Sequence, residues 1–107
     1  MKVELLYFDG CPSYAALRPR LTALLEREGV QDAVELRQVE SMAAAEQEHF
    51  LGSPTVRIDG EDVDPAAAER SDFGLKCRLY RTDEGVSGLP PEEWIIRALR
   101  QRGIPHG

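Results

Sequence analysis

The run VELLYF at 3–8 stops at Asp9 and Gly10, and Cys11, Pro12 and a helical stripe follow at once. This junction constrains the fold more than any other stretch, because it sets a strand, a sharp turn and a helix start side by side. A strand that is apolar on both alternating faces is covered on both sides, which places it at the centre of a sheet. From Pro12 the residues Tyr14, Leu17, Leu21, Leu24 and Leu25 share one helical face, and Gly29 stops the helix before Val30. Pro12 suits the first turn. Pro19 removes one backbone donor, and because the stripe continues in phase beyond it, a kink is expected instead of two helices.

The remaining elements follow from period and punctuation. AVELRQVE at 33–40 alternates as a second strand, and SMAAAEQEHF at 41–50 reads as a helix capped by Ser41. In PTVRIDGEDV at 54–63 the pair Asp59-Gly60 separates two alternating segments, the signal for a two-residue hairpin. Residues 64–90 carry Pro65, Gly74, Gly85, Gly88 and Pro90 with little period, so they read as a loop-rich insertion with one short helix at 65–70. Such long connections are often functional. PPEEWIIRALRQRG at 90–103 is the closing helix, with Glu92 and Glu93 in its first turn, Trp94, Ile95, Ala98 and Leu99 on one face and Gly103 at its end; 104–107 is a flexible tail. A chain of 107 residues holds one domain, 1–107, with a single modest core.

Charge narrows the function classes. A net charge of −6 leaves no basic surface for a nucleic acid or an anionic membrane. No apolar run reaches the roughly 20 residues of a membrane helix, and the start of the chain is strand-like, unlike a signal peptide, so a cytoplasmic protein is expected. Two cysteines, Cys11 and Cys77, are too few for a secreted disulfide scaffold and read as thiols, ligands or a transient pair. His49 reads as an exposed helix residue and His106 lies in the tail, so neither completes a zinc set and no metal site is expected. Glu61, Asp62 and Asp64 lack EF-hand spacing and read as a solvated turn. RTDEGVSG at 81–88 lacks the strand-to-helix setting of a P-loop.

The thiol at the helix start is the chemistry-bearing group. Unpaired amide N–H groups and the positive end of the helix dipole stabilise a thiolate over a thiol at Cys11, while Asp9 acts against them if its carboxylate faces the sulfur. The plainer reading of Cys11 is a small hydrophobe that ends the strand. Tyr14 reads as core or pocket wall by its place in the stripe. Cys77 lies among Lys76, Arg78 and Arg81 and is either a buried strand-end residue or a second thiol returned toward Cys11 by the hairpin; the latter requires a Cα separation of about 4.4 to 6.8 Å.

The order βαβα, hairpin and closing helix, with CPSY at 11–14 at the first helix start and SPT at 53–55 just before the hairpin, resembles the thioredoxin/glutaredoxin-like superfamily. It is similar in particular to small bacterial single-cysteine members, some of which are labelled alkylmercury-lyase-like. The resemblance implies an α/β thioredoxin-like fold: βαβ(α), a β-hairpin and a C-terminal helix, with helices on both faces of a mixed four-stranded sheet. It implies that Cys11 is the nucleophile, with Pro12 and Ser13 beside it and Tyr14 in place of the second cysteine of a dithiol motif, so that the usual CxxC cycle is absent. It implies a cis-proline at Pro54, and a Ser53 whose backbone N–H and C=O pair with an extended peptide or thiol ligand.

Three functions follow. The first is a thiol-disulfide or glutathione-linked oxidoreductase with Cys11 as nucleophile and Cys77 or free glutathione releasing the product. It needs no cofactor beyond glutathione as co-substrate, and its partners are protein or low-molecular-weight thiols and disulfides. The second is a non-catalytic module that binds a peptide in a groove between Tyr14, Ser53 and the 64–81 segment. The third is soft-metal binding, mercury or copper, by Cys11 with Cys77. A monomer or weak homodimer suits all three.

Overall fold

A computed structural model describes residues 1–102; the expected helix-ending Gly103, the tail 104–107 and His106 lie outside the described residues. Strand β1 (Val3–Tyr7) pairs in parallel with β2 (Val34–Gln38) and antiparallel with β3 (Thr55–Ile58), which pairs antiparallel with β4 (Glu61–Asp62). The sheet is therefore mixed and four-stranded, in the order β2-β1-β3-β4, with β1 inside it. Asp59 and Gly60 both have positive φ, 51° and 85°, the type I′ geometry that closes the β3–β4 hairpin.

Helix α1 (Pro12–Arg27) continues unbroken past Pro19, and α2 (Met42–Gln47) starts at Ser41, whose hydroxyl accepts the Ala44 N–H at 3.0 Å. Gly29 takes φ +76° after α1, and the Val30 N–H reaches back to the Leu25 carbonyl, the glycine-terminated end expected from the sequence. Helix α3 (Glu92–Gln101) closes the described chain.

Alternation along β1 divides the core. Val3 and Leu5 pack with Leu17, Leu21 and Leu24 of α1 and with Ile95 and Leu99 of α3. Leu6 faces the other way, with Val39, Ala45 and Phe50. Both faces are thus covered by helices, and each fully buried Leu or Ile contributes roughly 1.5–3 kcal/mol. One residue departs from the apolar pattern, Glu4, only 3% exposed on this central strand. Its carboxylate receives Arg37 at 2.9 Å, and Arg37 also donates to Glu48 at 2.7 Å, so the charge is paired as burial requires.

Residues 64–90 hold more order than their composition indicates. A 3-10 turn at Ala67–Glu69 falls within the short helix expected at 65–70, but β5 (Tyr80–Thr82) and β6 (Gly85–Ser87) form a second antiparallel hairpin that the sequence reading lacks. Each strand is three residues long and mostly exposed, so no apolar alternation marks it.

Candidate thiol site

Cys11 is the N-cap residue of α1, with Pro12 at the first helical position, and no side-chain hydrogen bond caps the helix. The thiol sits where the sequence places it, but it is only 5% exposed. Pro12 faces solvent, and Ser13 is half-buried beneath Gly88: a Cβ on that glycine would stand 2.6 Å from the Ser13 hydroxyl. The chain after β6 therefore crosses the first turn of α1. Tyr14 stacks on Tyr7 with ring centroids 3.8 Å apart and planes 9° apart, which makes it part of the wall at this end of the sheet.

The Ser53–Pro54 bond is cis, and Leu6 stands opposite Thr55 in the β1–β3 register, so the residues before β3 lie at the same sheet end as the start of α1. Here the structure corrects an expectation. Ser53 does not present its backbone to a ligand; it is fully buried and already paired. Its N–H donates to the Lys76 carbonyl at 2.8 Å, and its C=O accepts the Arg78 N–H at 2.8 Å. Ser53 and Cys77 thus form a parallel bridge, and the Gly74 N–H bonded to the Phe50 carbonyl extends the pairing. The protein's own segment 74–78 occupies the edge expected to receive a client.

Cys77 is corrected as well: it is exposed, not a buried strand-end residue, and both thiols are free. Among the described residues no three His, Cys, Asp or Glu side chains are grouped to hold a metal ion.

Arg78 anchors the segment. Its side chain is completely buried, donates to Thr55 Oγ1 at 2.9 Å and to Asp62 at 2.6 and 3.2 Å, meets Asp64 at 3.2 Å, and lies 4.6 Å from the Tyr80 ring centroid. Desolvation lowers the affinity of this guanidinium for its proton, but Tyr80, Asp62 and Asp64 outweigh it and the pKa is raised. Asp62 and Asp64 are therefore not a solvated turn: their side chains are only 12% and 11% exposed and face the arginine. The Arg78 charge, read from sequence as a neighbour acting on Cys77, is taken up by these carboxylates. A basic residue between Cys77 and Leu79 with no complementary charge beside it in sequence is the only trace of the clamp, and the acids that complete it lie 16 and 14 residues away.

Tyr80 closes the arrangement. Its hydroxyl donates to the Pro54 carbonyl at 2.5 Å, and burial pushes its pKa well above the ordinary phenol value of 10.0. Above pH 10 an unfolded chain releases this proton while the folded chain retains it, so the folded state loses stability as pH rises through that range. Tyr80→Phe is expected to cost about 1 kcal/mol near neutrality by loss of the hydrogen bond and to flatten the alkaline fall. Urea midpoints measured from pH 8 to 11 check both; equal alkaline slopes in the two proteins would remove Tyr80 as the cause.

Fold and site together define a mixed α/β protein with two free thiols, one at a helix N-terminus and one carried on an extended segment clamped by a buried arginine. No protein-family model matches the chain, and no curated protein or solved structure matches it significantly.

Proposed function

We propose that the protein is a thioredoxin-like thiol protein that exchanges disulfides with small molecules such as glutathione disulfide, with Cys77 receiving the substrate and Cys11 as the second thiol. The observation that carries this reading is the Ser53–Cys77 bridge, which holds an exposed thiol beside the residue before Pro54. The two roles are exchanged relative to the sequence expectation because Cys11 is buried. In the proposed cycle the Cys77 thiolate attacks one sulfur of the substrate disulfide, forms a mixed disulfide and releases one thiolate. The Cys11 thiolate then attacks the Cys77 sulfur, releases the second thiolate and forms the Cys11–Cys77 disulfide. Two electrons pass from the cysteine pair to the substrate, and an external thiol returns them.

The substrate is small because Ser53 has no backbone group left to pair with an extended polypeptide. A cavity of about 460 Å³, lined by Asp64, Lys76, Cys77, Leu79, Arg81 and Trp94 among others, has the size of a small-ligand site; Lys76 is held by Asp72 at 2.8 Å, so Arg81 is the basic side chain it offers to a carboxylate. Reduced protein incubated with glutathione disulfide is expected to pass through a mixed disulfide at Cys77 to an internal disulfide, followed by intact mass and peptide mapping. Cys11→Ser should stop at the mixed disulfide, and Cys77→Ser should react at least tenfold more slowly. A Cys77→Ser protein that reacts at the wild-type rate, or a wild-type mixed disulfide that never resolves, would overturn the proposal.

A further inference from the structure

Strand β2 ends the sheet, so one of its edges is unpaired. The phase of that edge follows from the Val39 N–H donating to the Tyr7 carbonyl: in a parallel ladder alternate residues point inward, so the backbone groups of 35, 37 and 39 face β1 and those of Val34, Leu36 and Gln38 face outward. The edge holds no Pro, Lys or Gly, its charges are one of each sign, Glu35 and Arg37, and Leu36 is 37% exposed.

Its charges match a copy of itself. Antiparallel pairing centred on Leu36 sets Leu36 against Leu36, Val34 against Gln38 and Glu35 against Arg37. The outward backbone groups of Val34, Leu36 and Gln38 then form the hydrogen-bonded pairs. Glu35 and Arg37 fall in the non-hydrogen-bonded positions, where opposite side chains approach most closely. Arg37 is 39% exposed at its side chain while holding Glu4 and Glu48, and a guanidinium has five N–H donors, so donors remain for the Glu35 of a second copy. A parallel or off-centre pairing gives up this match.

We infer that two copies of the chain associate through antiparallel pairing of β2 about Leu36, which continues the sheet across both. The contact is short and each copy carries a charge of −6, so the dimer forms at high concentration. It stands apart from the thiol chemistry. Sedimentation of the full chain over a wide concentration range should show reversible doubling of the 11.9 kDa mass. Glu35→Arg places arginines opposite each other twice and is expected to raise the dissociation constant about tenfold. In a Cys77→Ser background, Leu36→Cys should cross-link to a disulfide dimer on oxidation, because hydrogen-bonded opposite residues have Cα atoms about 5.5 Å apart; Gln38→Cys should not. A monomer at every concentration with no Leu36→Cys cross-link, or a dimer indifferent to Glu35→Arg, would overturn the inference.

Discussion

Arg78→Met is expected to lower folding stability by about 3–5 kcal/mol, the cost of removing one partner from a buried ion pair. Total stability for a small domain is about 5–15 kcal/mol, so the loss should appear as a large drop in melting temperature or as failure to fold. The reason lies in what remains. Asp62 and Asp64 keep their carboxylates nearly buried, and their cation is gone. Thr55 Oγ1 loses a donor, and the Tyr80 ring loses the guanidinium beside it. Replacing Asp62 and Asp64 by asparagine in the same chain should recover part of the loss, because neutral amides tolerate burial better than unpaired carboxylates. Urea unfolding of the single and triple variants measures the difference. If Arg78→Met unfolds within 1 kcal/mol of wild type, the clamp is not a main support of the 74–80 segment.

Gly52→Ala is expected to cost about 2–6 kcal/mol, from backbone strain of about 1–3 kcal/mol and overpacking of similar size. Gly52 has φ +127°, and a Cβ there would lie 2.9 Å from the Lys76 carbonyl oxygen and 3.0 Å from Arg78 Cβ. Neither neighbour can yield cheaply, since Lys76 O accepts the Ser53 N–H and Arg78 Cβ is the root of the clamp. The strain therefore falls on the pairing that seats Cys77. Hydrogen exchange should find the Ser53 and Arg78 amides less protected in this variant than in wild type. Conversion to the proposed Cys11–Cys77 disulfide should slow with them. Unchanged amide protection together with an unchanged melting temperature would refute the close approach of 76–78 to Gly52.

Legibility differed by element for physical reasons. The central strand, α1, the Ser41-capped helix, the Asp59-Gly60 hairpin and the closing helix each announce themselves locally, through an apolar period, a cap or a turn pair that works within a few residues. The β5–β6 hairpin does not, because Arg81, Thr82 and Val86 face solvent and no apolar period is left to read. Asp62 and Asp64 look like a solvated turn because their partner arrives from a distant segment. Cys11 was legible as a helix-cap thiol from Gly10, Pro12 and the stripe behind them. Its burial agrees with the plainer reading of a small hydrophobe ending the strand.

The sequence by itself determined the strands of the main sheet and the three α-helices, which faces of β1 are covered and that Cys11 stands at a helix start, because these rest on short-range periodicity and caps. Only the tertiary structure decided that Ser53 pairs with the chain's own Cys77 segment, that Arg78 is clamped between two acids and that Cys77, not Cys11, is the open thiol. Each of these depends on charges and backbone groups far apart in sequence meeting out of water, where pairing becomes obligatory.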